Sequence, residues 1–472
     1  MPQSFTSTDM TRRPYRTIWK LAWPQLLMML LHFFIGFADV KVAGMLDREV
    51  QASLGIITQS LFFFLIVAIA AANGAVAAIS QSEGAGLPRR VQRYTGLCIQ
   101  IALGAGLLFV VLGLPLKGLL LRALQVPESM FPVTEYFLEV YLLLLPPYYA
   151  LIITNAVFRA QKRVLFPLYA MGIVTGVNAV MDFGLGLGLW GLPQLGFKGL
   201  AWATFGSVTA GAAFNLLLLA RQGLLRRRSF APWRWVKRAL PYLFKVAWPA
   251  GLMQVVWHSG YLVLYAITAS LPAGNVSALA GMSVGLRVES ILFLPAFAFN
   301  MTAGILIGHY LGASDPDEAK RFGFRILGLG LVFIVPITIG IWQVLDPVVA
   351  FLAPDQGVAV DAGNYLFYNV LGVPFTLTTM ILGGAFNGAG ATLYNLVVMG
   401  TATWAVRLPL AWLLGHEVMG RAEGIWIAML CSIVLQSAAM LYAYTSTNWQ
   451  RFSMIKQRRP KVPAHAAAIR PH

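Results

Sequence analysis

The chain has 472 residues, of which 58% are hydrophobic and only 11% are charged, and its mean hydropathy is +0.70. A water-soluble protein carries roughly 25% charged residues, so this composition excludes a soluble protein and indicates one that crosses a membrane several times. The formal net charge of +17 at pH 7 does not predict a nucleic-acid partner, because the basic residues stand between apolar segments and form no separate basic domain.

Twelve apolar segments are long enough to cross a bilayer, which takes about 20 residues each. In chain order they run over roughly 17–45, 54–80, 94–121, 135–158, 165–190, 198–220, 242–271, 278–308, 322–345, 362–386, 393–415 and 423–446. The sequence therefore predicts an all-α integral membrane protein with twelve transmembrane helices.

Basic residues accumulate in every second connection between these segments except 387–392, which has no charge. Arginine and lysine are concentrated before residue 20, near 89–93 and 159–163, along 221–238, at 320–325 and after 450, whereas most of the other connections hold aspartate and glutamate. Cytoplasmic loops of membrane proteins are enriched in lysine and arginine. The pattern predicts a multi-pass protein of the cytoplasmic (inner) membrane with both termini in the cytoplasm.

The second half of the chain repeats the first at an offset of 225 to 228 residues. KLAWP at 20–24 returns as KVAWP at 245–249, and FRAQKRVLFPLYAMG at 158–172 aligns with FNGAGATLYNLVVMG at 386–400. An even number of spans per repeat predicts two six-helix bundles related by a pseudo-two-fold axis along the membrane normal. The expected divisions are a cytoplasmic tail at 1–16, an N-terminal lobe at 17–220, a basic cytoplasmic linker at 221–241, a C-terminal lobe at 242–446 and a basic cytoplasmic tail at 447–472.

Two aspartates stand inside apolar segments, Asp39 in GFADVKVAG and Asp182 in GVNAVMDFGLG. A charge inside a bilayer costs at least a few kcal/mol and usually marks an ion or substrate path. Helical rise places both carboxyls roughly 10 Å below the outer surface, with Asn178 on the face of Asp182 and Thr204 entering from the same side. We expect these four side chains to form one cluster that carries protons, with sodium at Asp39 and Asp182 as the alternative.

A purely structural interpretation is that Asp39 pairs with Lys41 and fixes packing, although residues two apart face different sides of a helix. Pro24 leaves the carbonyl four residues earlier without its helical partner, which predicts either a hinge in the first span or a static kink.

Several side chains are expected to line a cleft between the two lobes, because aromatic rings suit planar or cationic compounds. They are Phe37, Trp257, Tyr261, His258 and Arg287. A second interpretation of Arg287 joins it with Glu289 and Arg407 in a buried ion network that holds the C-terminal lobe together.

KLAWPQLL, FADVKVAG, FRAQKRVLFP with VNAVMD, and LGFKGLAWAT resemble the N-terminal lobe of the multidrug and toxic compound extrusion (MATE) transporters. GLRVESILFLPAFAF, FNGAGAT and WAVRLPLAWLLG resemble the C-terminal lobe of the same family, so that the resemblance covers about 15–450. The chain is most similar to the DinF-like branch, which keeps its membrane aspartates on helices 1 and 5.

This resemblance implies export of lipophilic and cationic organic compounds in exchange for protons or sodium, and it adds Asn155 to the ion-coupling residues. The sodium-coupled branch uses carboxylates on helices 7 and 10. Here the seventh span offers Gln254 and His258, and the tenth has no carboxylate, which favours protons.

The alternatives are a lipid-linked saccharide flippase of the same superfamily and a membrane protein that does not transport. The chain has no P-loop, zinc-ligand spacing or nucleophile triad, so we expect no enzyme, no cofactor and no metal apart from sodium. The expected partners are small organic molecules, H+ or Na+ and the lipid bilayer, and we expect a monomer.

Overall fold

The structure, a computed structural model, describes residues 13–226, 229–352 and 355–455. Most of the predicted tail at 1–16 and the distal part of the tail at 447–472 lie outside these residues. Among the residues described, twelve helices are long and apolar enough to cross a membrane. The predicted all-α fold and the number of spans are therefore confirmed.

The twelve helices follow one another with short connections. They are α1 (Pro14–Leu46), α2 (Arg48–Gly84), α3 (Pro88–Ala123), α4 (Glu128–Ala160), α5 (Leu165–Gly186), α6 (Phe197–Arg221), α7 (Trp233–Ala269), α8 (Asn275–Gly312), α9 (Pro316–Gln343), α10 (Gln356–Ala389), α11 (Thr392–Val418) and α12 (Ala422–Ser446). A short helix, Leu345–Leu352, precedes α10, and a 3-10 turn, Trp449–Phe452, follows α12.

Aspartates begin three of the helices. The side chains of Asp47, Asp315 and Asp355 accept hydrogen bonds of 3.0–3.1 Å from backbone N–H groups in the first turns of α2, α9 and α10. Each bond satisfies a donor that the helix itself leaves without a partner. These connections carry few apolar residues, so the caps define where one span ends and the next begins.

The predicted linker at 221–241 is half helical, because α7 begins at Trp233. Pro232 precedes the helix, and Val236, Ala239 and Leu243 lie on its buried side. This spacing of three to four residues is that of an amphipathic helix. Arginines and lysines on the other face lower the average hydropathy of 233–241, so a search for purely apolar spans starts the helix too late.

The helices form two six-helix bundles, an N-terminal lobe (α1–α6) and a C-terminal lobe (α7–α12), each with its own core. The first turns of each lobe's first helix are buried in the core of the other lobe. Ile18, Leu21 and Ala22 at the start of α1 are buried in the core of the C-terminal lobe, whereas the start of α7 is buried in the core of the N-terminal lobe. The two bundles are thus interlocked where each one begins.

We call the end of the molecule that carries the α2–α3, α4–α5, α6–α7 and α8–α9 connections the basic end. The lobes contact one another closely in this half. Helices α2 and α8 meet backbone to backbone, since a Cβ on Gly84 would lie 2.0 Å from the carbonyl oxygen of His309, and one on Gly312 would lie 2.1 Å from that of Gln81. Further along α1, Gln25 donates a 2.9 Å hydrogen bond to Thr302 of α8.

Candidate ion-coupling site

Asp39 and Asp182 lie together in the N-terminal lobe, near the end opposite the basic end. Asp39 is seven residues before the end of α1, and Asp182 is four residues before the end of α5. The Nδ2 of Asn178 donates a 3.2 Å hydrogen bond to Oδ1 of Asp39, and the two carboxyl groups lie close enough to interact. The structure therefore brings together three of the four side chains that the sequence predicts to be neighbours.

Asp182 is fully buried, and neither of its carboxyl oxygens has a hydrogen-bond donor among the residues described. Oδ1 of the buried Asn178 also lacks a donor there. A buried carboxylate without a counter-charge or donor is strongly unfavourable, and a second carboxylate beside it adds repulsion. A cation or a proton between these oxygens would supply the positive charge or the hydrogen-bond donor that they lack.

The backbone at Asp182 departs from an α-helix. Residues Asp182–Gly186 form a π-helical segment at the end of α5, a feature that often occurs at functional sites. Helix α6 packs tightly on this segment, since a Cβ on Gly199 would lie 2.5 Å from the carbonyl oxygen of Leu185. Sequence analysis missed this change, although the alternating glycines of DFGLGLG are the one signal that could have indicated it.

Two tyrosines of α4 complete the surroundings and were also missed. Tyr141 lies close enough to interact with both Asp39 and Asp182, and its hydroxyl is 3.4 Å from Oγ1 of Thr204. Tyr148 interacts with Asp39 from the same helix. Thr204 is therefore connected to the aspartates through Tyr141. Both tyrosines stand in a mostly apolar stretch of the sequence, where they resemble ordinary core residues.

Asn155 does not join this cluster. Its Oδ1 accepts a 2.8 Å hydrogen bond from Nδ2 of Asn215, which also donates to Thr154 at 3.1 Å. All three residues are buried, and they connect α4 with α6 closer to the basic end. The structure places Asn155 in this separate polar pair.

Lys41 is exposed and forms no ion pair within 4 Å among the described residues, so the structure gives no support to pairing between Asp39 and Lys41. Pro24 is buried inside the continuous helix α1, fifteen residues from Asp39. Its position agrees with a kink in α1, and its role as a hinge stays a prediction.

The expected cleft residues divide into two places. Trp257, His258 and Tyr261 form one aromatic group on α7, and the ring of His258 stacks on Phe62 of α2 with centroids 4.0 Å apart. This group lies where the lobes meet. Phe37 is 64% exposed and shares a shallow hollow with Lys41 and Gln51 at the end of α1, on the other side of that helix from Asp39.

The predicted ion network of the C-terminal lobe takes a different form. Glu289 accepts a 2.6 Å hydrogen bond from Tyr365, and Nε of Arg407 donates a 2.8 Å hydrogen bond to Ser432. Both charged residues are buried and lie near Tyr261, yet they form no ion pair within 4 Å in the part of the chain described. Arg287 is exposed on α8 and does not join them.

Comparison with known proteins supplies a family context for this geometry. The MatE family model matches residues 24–183 and 249–413. A protein of Thermotoga maritima described as a probable multidrug resistance protein NorM is 24% identical over 446 residues, which are 94% of either chain. A multidrug resistance protein NorM of Burkholderia vietnamiensis is 27% identical over 456 residues, 90% of this chain and 92% of that one.

Solved structures share the fold. A MATE transporter of Vibrio cholerae superposes with a TM-score of 0.85 at 21% identity, covering 93% of this chain and 99% of the other. A MOP-superfamily transporter of Pyrococcus furiosus superposes with a TM-score of 0.84 at 17% identity, covering 94% and 100%.

Proposed function

The chain belongs to the MatE family of transporters, and from this premise we propose that it is a secondary active multidrug exporter that exchanges lipophilic and cationic organic compounds for protons. The observation that carries the proposal is the pair Asp39–Asp182. Neither oxygen of the buried Asp182 has a hydrogen-bond donor among the described residues, and Asp39 accepts from Asn178, so the pair can take up and release a small cation. The aromatic group on α7 provides apolar rings between the lobes for the organic substrate.

Alternating access would proceed between the two bundles. We take the basic end to face the cytoplasm. The close contacts between the lobes at this end then agree with a state that is open to the outside. A proton entering from the outside would reach Asp39, which is partly exposed, before Asp182, which is fully buried. Neutralisation of the pair would change how α1 packs on α5 and would favour release of the substrate. Deprotonation toward the cytoplasm would reset the site.

Protons suit this site better than sodium does. Sodium prefers several hard oxygen ligands, and the site offers Asp39, Asp182 and Oδ1 of Asn178, with Tyr141 as a further oxygen. One proton shared by two carboxyl groups removes the repulsion with no further ligand.

The flippase alternative is less well supported. A pyrophosphate-linked substrate needs several cations in the cleft, and Arg407 is buried with Ser432 as its partner. Arg287 alone of the two candidate arginines is exposed.

The decisive test is efflux of a fluorescent organic cation from proteoliposomes in which a pH gradient and a sodium gradient are imposed separately. We expect efflux with the pH gradient in sodium-free buffer. Efflux with the sodium gradient alone would assign the site to sodium, and absence of efflux with either would contradict the transport function.

The orientation is tested separately, in a background without Cys98 and Cys431. If the basic end is cytoplasmic, an impermeant thiol reagent should fail to label a cysteine at Arg89 in intact cells.

A further inference from the structure

The segment that follows α12 crosses from the C-terminal lobe onto the N-terminal lobe at the basic end. Trp449 is buried against the C-terminal lobe, and Lys245 stacks on the ring of Phe452 at 4.7 Å. Two residues after Phe452 the segment has reached the N-terminal lobe, where the sulfur of Met454 accepts a 3.1 Å hydrogen bond from the hydroxyl of Tyr94 on α3. We call Trp449–Ile455 the C-terminal strap.

The strap ends on one side chain of the N-terminal lobe, Gln81 of α2. Oε1 of Gln81 accepts hydrogen bonds from the backbone N–H of Met454 at 2.7 Å and from the hydroxyl of Ser453 at 3.1 Å. Its Nε2 donates to the carbonyl oxygen of Gly388 on α10 at 2.9 Å and to the hydroxyl of Tyr242 on α7 at 3.0 Å. Every hydrogen-bonding position of this fully buried amide is used, and all four partners lie in the C-terminal half of the chain.

We propose that Gln81 and the C-terminal strap form a latch that holds the two lobes together at the basic end and sets how often the transporter opens there. The proposal rests on the proposed function only in treating this opening as a step of transport. Gln81 acts as a positioning residue, since it lies far from Asp39 and Asp182 along the membrane normal.

The physical reason is that the groups bonded to the Gln81 amide lose a hydrogen-bond partner when the amide is removed. In the closed arrangement the amide and the carbonyl of Gly388 are buried, and Tyr242, Ser453 and Met454 are half-buried. Removing the Gln81 amide would therefore leave the buried carbonyl of Gly388 and the half-buried N–H of Met454 without these partners, which is costly. Once the lobes separate at this end, water can satisfy the same groups. Loss of the amide therefore penalises the closed arrangement alone and shifts the population toward opening at the basic end.

The latch also explains why α2 and α8 meet without side chains between them. Gly312 faces the backbone of Gln81 itself, and Gly84, one turn further along α2, faces that of His309, so the two backbones approach next to the amide.

The test is a distance measurement that needs neither substrate nor ion gradient. Spin labels at Arg89 and Asp317, which are exposed on opposite lobes at the basic end, report opening there in a background without Cys98 and Cys431. We expect Gln81→Leu to raise the fraction of molecules with a long distance by about tenfold, the equivalent of roughly 1.4 kcal/mol.

Met454 allows a matched pair of substitutions outside the membrane-spanning helices, in which both variants lose the same side chain from the edge of the N-terminal core. Ser453 has φ −52° and ψ 140°, a conformation that accepts a following proline. Met454→Pro removes the N–H donor together with the side chain, whereas Met454→Ala removes the side chain alone. We expect the proline variant to shift the distances toward opening and the alanine variant to shift them less.

Gln92→Leu is the control for loss of a glutamine amide at the same end, since Gln92 donates to Gly223 within the N-terminal lobe; its distances should match the wild type. An unchanged distance distribution in Gln81→Leu, or equal shifts in the two Met454 variants, would overturn the latch. Because the readout is independent of transport, failure of the exporter assignment would leave this result unaffected, and the reverse also holds.

Discussion

The two lobes place polar residues at corresponding positions of the repeat but give them different charges. Asp182 corresponds to Arg407, 225 residues later, and each belongs to a π-helical segment, Asp182–Gly186 in α5 and Thr401–Arg407 in α11. The neighbouring positions match as well, since Tyr141 and Thr204 correspond to Tyr365 and Ser432 at similar offsets. Asp39 has no acidic counterpart at 264–267, and the C-terminal lobe carries its carboxylate on α8 as Glu289.

Because of this difference, the site in the N-terminal lobe can bind and release a cation, whereas the charged groups in the C-terminal lobe already have partners. Glu289 and Arg407 have opposite charges, and each has a hydrogen-bond partner, Tyr365 and Ser432. In the N-terminal lobe Asn178 donates to Asp39, and Asp182 has no donor among the described residues. The shared scaffold of α4, α5 and α6 thus holds a carboxylate without a donor, whereas its repeat in the C-terminal lobe holds two opposite charges that each have a hydrogen-bond partner.

The largest effect that this comparison predicts is for Asp182→Asn. The amide keeps the size of the carboxyl group but cannot exchange a proton, so gradient-driven efflux from proteoliposomes should fall to the level of protein-free liposomes, with expression and melting temperature retained. Asn155→Ala, in the separate polar pair of the same lobe, should retain efflux. Full transport by Asp182→Asn would show that this residue is not needed for coupling. It would also contradict the proposed difference in cation exchange between the two lobes.

A smaller effect is expected at the corresponding acid of the C-terminal lobe. In Glu289→Gln the amide oxygen can still accept the hydrogen bond from Tyr365, so we expect the rate of efflux to change by no more than about fivefold, which corresponds to roughly 1 kcal/mol, and its pH dependence to stay that of the wild type. Efflux should be measured over pH 6–8. Loss of the pH response in this variant would mean that the C-terminal lobe also takes part in coupling.

The sequence predicts much of the fold because membrane helices are recognised by their long apolar runs and by the basic loops between them. It also brings Asp39, Asp182 and Asn178 together, since charges in apolar spans are rare and their depth follows from helical rise. Tyr141 and Gln81 could not be recognised in this way. Their roles depend on contacts between helices far apart in the chain, and a single tyrosine or glutamine inside a span carries no pattern.

The π-helical segment at Asp182 and the early start of α7 were missed for a related reason. A π-turn is set by how α6 packs against α5, and glycines alone do not specify it. The first turns of α7 are amphipathic, so their apolar residues are recognised as buried only when the N-terminal lobe is there to cover them.

The lobes also differ at the connection between the fourth and fifth helices of each repeat. Lys162 lies there and its Nζ is 3.3 Å from Nε2 of His309 on the opposite lobe. Burial lowers the pKa of Lys162 to about 8, against a partly opposing effect of Glu83. The unfolded chain, in which the pKa is about 10.4, binds more protons than the native protein between these values, so native stability should rise with pH from about 8 to 10.

Lys162→Met should remove this increase, as measured by thermal unfolding in detergent between pH 7.5 and 10. The same substitution at the exposed Lys237 serves as the control and should leave the slope as it is in the wild type. A wild-type slope in Lys162→Met would show that another group titrates.

The smallest effect concerns the backbone of the same connection. Lys162 has φ 62°, and Gly390, at the corresponding position of the repeat, has φ 77°. The left-handed conformation suits glycine and costs other residues about 1 kcal/mol. Lys162→Gly and Lys162→Ala both remove the contact with His309, so their difference isolates this backbone cost.

The glycine variant should be more stable than the alanine variant by about 1 kcal/mol, reduced by the greater freedom of glycine in the unfolded chain. Urea unfolding of the two variants, in a detergent that keeps the native state, measures this difference. Equal stabilities would mean that the connection relaxes out of the left-handed region once the lysine is gone. In that case the contact of Lys162 across the lobes, and not the repeat itself, holds the turn in the conformation that Gly390 adopts in the other lobe.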